Sequence, residues 1–315
     1  MSSQLFQWEF NIPSLIDENV KIDKKIWLKK GEIFLKKDGK VLDVFILGNA
    51  NDRRNEQKIF PFVKISTLLT NNAPKLSGGG GGSIKSKKEF GKKKVGLLIG
   101  GISHTYPKQA IKRIQKYAPT FLKQIKFLHE KYTSINEENE FLKMSLDYFY
   151  DSEIKFVYTN EGFISATMSL EALFNDGESD IKYKLVQRTS FLLGLSGLNP
   201  VSVYEDLNKL YKYRSQLVHG ARITTNIQEK YKLSRYAKKS IIIMHILLKN
   251  PQRKQIRKDE RKQKILREID YAMLVPATRK KMKREIIRGL KDFEWKVPRT
   301  FKGRGEFGDY QVTAW

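Results

Sequence analysis

The side chains best suited to chemistry stand near the middle of the chain, in the ten residues YKYRSQLVHG from Tyr211 to Gly220. Arg214 carries a permanent charge and a planar fork of donors that fits a phosphate. His219 is of the type that titrates near neutrality, so it can remove a proton and return it. Spacing alone does not join the two. A five-residue step turns a regular helix by about 500°, which leaves the side chains about 140° apart. A histidine close to a helix C-terminus is also favoured by the helix dipole, and Gly220 is a good stop residue. Spacing by itself therefore favours an ordinary helix end over a site.

The other histidines offer less. His104 stands in the loop-like ISHTYP, His129 at a mostly polar helix end, and His245 inside IIIMHILL. In that last setting a buried imidazole satisfied by one hydrogen bond is expected. No histidine has a partner at metal-ligand spacing, and the carboxylates form neither HExxH nor an EF-hand pattern. VGLLIGGISH lacks both GxGxxG and a Walker lysine, and GxSxG does not occur. The chain has no cysteine, so disulfides, thiolate metal sites and a Cys nucleophile are ruled out. We expect no metal and no cofactor.

The elements that must position Arg214 and His219 are helical. From about residue 107 the apolar period becomes that of a helix. AIKRIQKYAPTFLKQIKFLHEKYTSI is followed by NEENEFLKMSLDYFYDS, with Phe141, Met144, Leu146, Tyr148 and Phe149 on its apolar face. EGFISATMSLEALFN turns Phe163, Met168, Leu170, Leu173 and Phe174 inward, and includes Glu171. SDIKYKLVQRTSFLLGL opens on a Ser/Asp cap and buries Leu185, Phe191 and Leu192, with Arg188 in a structural contact. SVYEDLNKLYKYRSQLVHG ends at Gly220, and a further helix ends at Asn250-Pro251. Short loops between such helices predict an up-and-down bundle.

Four of these blocks, in order, resemble the HEPN superfamily and within it the Apea-like HEPN domains. They are NEFLKMSLDYFYDS (139–152), FISATMSLEALFN (163–175), SDIKYKLVQRTSFLLG (179–194) and LNKLYKYRSQLVHG (207–220), closing on Arg-x4-His-Gly. The likeness covers about residues 107–250. It implies a helical bundle that forms a homodimer, with Arg214 and His219 of each protomer converging at the interface as the catalytic pair of a metal-independent endoribonuclease. In RNA the 2′-OH lies beside its own phosphate, so cleavage is an intramolecular attack. His219 would move the proton, and Arg214 would stabilise the charged phosphorane. Members of this kind often act as toxins or antiphage defence effectors, which brings a trigger or neutralising protein into view. The sequence departs from the family pattern at Ser215, where Asn, Asp or His is common after the Arg. Ser215 could assist by hydrogen bonding, and Glu171 could orient Arg214 through an ion pair or simply solvate a helix face. Tyr211 and Tyr213 could stack bases, although tyrosines at helical spacing are more often core or interface. The alternative is a catalytically inactive HEPN module that binds RNA or a protein.

Composition fits an RNA partner. The net charge is +26, from 60 Lys+Arg against 34 Asp+Glu over 315 residues, and such an excess attracts polyanions. A lysine-rich composition shared by all proteins of one cell would give the same total. The basic region from Arg253 onward, including Arg257 and Arg261, is the candidate for salt-sensitive contacts to phosphates. No apolar run approaches the roughly 20 residues that span a bilayer, and the start lacks a signal-peptide pattern, so a cytoplasmic protein without membrane association is expected. The fold class expected is mainly α: an HEPN-type bundle at 107–250, with a small β-rich region at 1–75 and a basic helical extension and tail at 251–315. The β-rich expectation rests on the alternation of IWLKKGEIFLKKDGKVLDVFIL and on IFPFVKIS. Residues 76–106 hold a Gly/Lys-rich linker or loop built around GGGGG.

Overall fold

The structure is a computed structural model. It describes residues 138–154, 159–177, 179–221 and 227–293, most of 123–135, Lys64, and the backbone of seven strands. Two compact units share the chain: Tyr132–Glu294, and Met1–Lys131 together with Trp295–Trp315.

The first of these is a mainly α-helical bundle. Its helices are α1 (Glu140–Ile154), α2 (Asn160–Phe174), α3 (Ile181–Leu195), α4 (Pro200–Val218), α5 (Ile227–Leu248), the single turn α6 (Pro251–Lys254), α7 (Arg261–Leu274) and α8 (Pro276–Leu290). At its centre is α5, which packs against α1, α2, α3 and α8. The reason lies in its sequence: from Ile241 to Leu248 every residue is buried, and a helix apolar all round must be enclosed. Around it lie Phe163, Leu170 and Phe174 of α2 and Leu185 and Leu192 of α3, each 1% exposed or less. The helices α1 and α2 meet through small residues, Ser145 Oγ lying 2.8 Å from the Ser169 carbonyl oxygen. On α8, a Cβ added at Gly289 would lie 2.3 Å from Cγ2 of Ile246, so the missing side chain sets the distance to α5.

Two buried arginines tie helices together. Arg188 on α3 donates to Asp270 of α7, to Asp176 and to the Phe174 carbonyl, the structural role expected of it. With that guanidinium beside it, the Asp176 carboxyl is held down at about 2. Arg253 donates to Glu268 of α7, Glu285 of α8 and the carbonyl of Leu247 at the end of α5. These contacts tie α7 and α8 into the compact unit Tyr132–Glu294.

Several local expectations are revised. On α1 the buried stripe is Leu142, Leu146 and Phe149, whereas Met144 is 42% exposed and Phe141 and Tyr148 are half-buried. Met168 and Phe191 are likewise half-buried. Asp180 does precede α3, but it adopts φ 57° and its carboxylate makes no capping bond.

In the other unit, β1 (Ser3–Asn11), β2 (Ile26–Lys29), β3 (Ile33–Asp38), β4 (Val41–Asn49) and β5 (Lys75–Ile84) form one antiparallel sheet in the order β2-β3-β4-β1-β5. The glycine run, read from composition as a linker, lies in β5 and pairs with β1. Near the C-terminus, where a loop or tail is expected, β6 (Thr300–Gly305) and β7 (Gly308–Thr313) pair as a separate two-stranded sheet. Of the segment 59–66, expected as a strand, only Lys64 is described, and it is helical. The Lys cluster 85–94 and His104 lie outside the described residues.

Candidate functional site

Helix α4 is held at both ends by its sequence. Asn199 caps it, its side chain accepting from the N–H groups of Val201 and Ser202, and Pro200 occupies the first turn, where its missing N–H costs nothing. At the other end Gly220 takes φ +81°. The N–H groups of Gly220 and Ala221 return to the carbonyls of Leu217 and Gln216, the Schellman pattern that a glycine at this position allows. Between the caps, Val203, Leu207 and Leu210 form the buried stripe. Arg214 is the next position on that stripe, at the 3- and 4-residue spacing of one helix face, so it turns toward α2.

There it meets Glu171. Arg214 Nη2 lies 3.2 Å from Glu171 Oε2, and the Tyr211 hydroxyl donates to Glu171 Oε1 at 3.0 Å. The Arg214 guanidinium also stands 5.7 Å from the centre of the Tyr211 ring, close enough for a cation–π contact. One carboxylate therefore holds both side chains, and the arginine is about three-quarters covered. Burial first, and Glu171 beside it, push the Tyr211 hydroxyl up to about 12, so it stays protonated and keeps donating. The Arg214 Nε–H is buried, and among the described residues it has no acceptor, an arrangement that costs about 1–3 kcal/mol unless a ligand or partner supplies one.

His219 ends the same helix. It is the C-cap residue, its backbone N–H donating to the Ser215 carbonyl at 3.1 Å, and its side chain is exposed. Ser215 is half-buried. Among the described residues no hydrogen bond joins Arg214 to His219. This follows from the helix step: Arg214 faces the bundle, and His219 stands free at its edge.

The residues expected to bind RNA divide. Tyr211 belongs to the Glu171 clamp, and its hydroxyl is already engaged. Tyr213 is half-buried, with Lys209 Nζ 5.6 Å from its ring. Arg253 and Arg261, each 7% exposed, are spent inside the bundle. Arg253 uses its donors on Glu268, Glu285 and Leu247, and Arg261 binds Glu138 and the carbonyls of Lys254 and Ile256. Neither guanidinium is presented to a phosphate. Arg257 is 75% exposed and lies beside Asp259 and Glu260. The clamp role of Tyr211 was missed, because nothing in a linear sequence pairs it with a carboxylate forty residues earlier. Its only signal is the three-residue step to Arg214 on one helix face.

His245 is fully buried, as expected, and its Nδ1 lies 2.9 Å from the Ile241 carbonyl oxygen. Among the described residues no group of three or more His, Asp or Glu side chains could hold a metal ion, and no helix is long and apolar enough to cross a membrane. No family model, curated protein or solved structure matches the chain.

Proposed function

We propose that the chain is a metal-independent endoribonuclease of the HEPN type, close to the Apea-like domains, working as a homodimer. The reading is carried by the arrangement on α4: an arginine held by Glu171, its buried Nε–H lacking an acceptor among the described residues, and an exposed histidine at the end of the same helix. The attacking 2′-oxygen forms a bond to phosphorus while His219 accepts its proton. The bond from phosphorus to the 5′-oxygen then breaks, and an imidazolium returns a proton to the leaving oxygen. A 2′,3′-cyclic phosphate and a 5′-hydroxyl remain. Arg214 neutralises the phosphorane, and Glu171 with Tyr211 fixes where that charge sits. Because the two catalytic side chains diverge within one helix, a two-fold axis near the end of α4 is what brings an arginine and a histidine onto one phosphate. By the same resemblance, the activity belongs to a cytoplasmic toxin or antiphage effector, governed by a trigger or neutralising protein.

The deciding experiment is cleavage of labelled mixed-sequence RNA in EDTA by wild type, His219→Ala and Arg214→Ala. Cutting by wild type alone supports the proposal. One observation favours a rival reading as an inactive binding module: Glu171 offsets the charge that Arg214 would offer a phosphate. If no form cuts, and all three bind RNA equally and with salt sensitivity, the rival stands.

A further inference from the structure

The helix α8 carries a surface that neither the Arg214–His219 pair nor the bundle core uses. Its sequence is PATRKKMKREIIRGL. Met282 and Ile286 are buried at 3% exposure or less, and Gly289 lies against Ile246, so one side of the helix is seated on the bundle. Glu285, the acid within the helix, is taken by Arg253, with Arg253 Nη1 2.8 Å from Glu285 Oε1. That leaves Lys280, Lys281, Lys283, Arg284 and Arg288 exposed, and among the described residues no carboxylate pairs with any of them. At 100° per residue, Lys280, Lys283, Arg284 and Arg288 fall within an arc of about 140°. They form a fixed row of cations.

We infer that this face of α8 is a rail for the sugar-phosphate backbone of RNA, binding the strand that the α4 site is proposed to cut. The inference rests on that reading for the identity of the strand. Fixed, unpaired cations on a seated helix suit a polyanion, because each phosphate contact releases a counterion and no internal ion pair has to be broken. Three of the five are lysines, compact charges rather than planar forks that read a base edge, which suits contacts blind to sequence. An anionic membrane fits less well. An interfacial helix inserts a continuous apolar side; here Met282 and Ile286 are buried in the bundle, and only Ile287, 42% exposed, stands as a large apolar side chain among the cations.

The test measures binding without cutting. On a His219→Ala background, a triple variant Lys280→Gln, Lys283→Gln, Arg284→Gln is compared with a control triple, Lys143→Gln, Lys182→Gln, Arg235→Gln, which removes equal charge from exposed positions elsewhere. Affinity for a fluorescein-labelled mixed-sequence RNA is followed by anisotropy over a range of KCl. The rail triple is expected to bind roughly tenfold or more weakly at low salt, and its slope of log K against log salt should fall by about 2 for single strands. The control should keep the parental slope. Equal losses in both triples would overturn the rail in favour of diffuse charge. So would unchanged RNA binding with lost binding to phosphatidylcholine–phosphatidylserine vesicles, which would make the face a lipid contact. Cleavage by the parent chain is scored separately: binding with the expected slope and no cutting would leave the rail standing and remove the nuclease.

Discussion

At the scale of single residues, the clamp on Arg214 makes a prediction that a purely structural ion pair would not. Glu171→Gln removes the charge that orients the guanidinium, and Tyr211→Phe removes the hydroxyl that fixes Glu171. Misplacing a phosphate-holding group is worth on the order of ten- to a hundredfold in rate. The expected result is a loss of that size in single-turnover cleavage by Glu171→Gln and a smaller loss by Tyr211→Phe, with melting temperatures little changed. Lost stability at an unchanged rate would reduce the clamp to a packing contact. His245 supplies a second test, of stability. It is buried among apolar neighbours, edge-on to the Tyr132 ring, whose hydroxyl donates to Asp292, and Lys249 stands beside the same ring. Burial lowers its pKa to about 4, against a weaker opposing effect from the Ile241 carbonyl. The unfolded chain therefore takes up this proton first, as pH falls through about 6.5. The folded state loses stability between there and about pH 4, by up to about 3 kcal/mol from this one group. His129, also lowered to about 4 by burial, adds to the same window. Urea midpoints at pH 7.5 and 5 should fall less for His245→Phe than for wild type, and identical slopes would show that His245 does not titrate on unfolding.

At the scale of elements, the course of the chain was legible where periodicity was strong. The blocks that give α2, α3 and α4 declare themselves by apolar spacing, and Gly220 and Asn250-Pro251 mark real ends. The α1 face was misplaced by a residue or so, because FLKMSLDYFY offers apolar residues on nearly every side and only packing against α2 and α5 chooses Leu142, Leu146 and Phe149. The partners of the arginines in the basic helices were not legible for a different reason. An arginine's partners are set by tertiary neighbours, and Arg253 finds Glu268 and Glu285 only because α8 folds back onto α5 and α7 packs against α3 and α8. Arg253→Ala should therefore cost about 3–5 kcal/mol, the price of stranding two half-buried carboxylates, and denaturant unfolding would show it. Once folded, the variant should keep the salt slope of RNA binding; a loss of slope would restore Arg253 to the phosphate contacts. The seat of α8 is tested by Gly289→Ala. Its gain in helix propensity, about 1 kcal/mol, opposes an overpacking cost of about 1–3 kcal/mol against Ile246. Net destabilisation that Ile246→Ala partly relieves, with a coupling above roughly 0.5 kcal/mol, would place the contact where it is described. Additive effects would not.

At the scale of the whole molecule, the question is whether one chain can hold a complete site. In a regular helix Arg214 and His219 diverge by about 140°, and Arg214 is turned inward to Glu171 while His219 is exposed at the C-cap. In the proposed dimer the α4 of one protomer would supply half of a site, and a two-fold axis the rest. Genetic complementation in vitro separates this from a site within one chain. Arg214→Ala and His219→Ala are each inactive in the proposal, because one dimer has two histidines without an arginine and the other two arginines without a histidine. When they are mixed and allowed to exchange subunits, about half of the dimers become mixed pairs by random assortment. Each mixed pair joins an intact Arg214 from one chain to an intact His219 from the other. Cleavage should reappear on mixing, rise with the time allowed for exchange, and travel with a species of twice the 36.7 kDa of one chain. If the mixture exchanges subunits and stays inactive, a site shared across the interface is excluded. Arg214 and His219 would then have to act within one protomer, which needs the end of α4 to unwind before the two can reach the same phosphate.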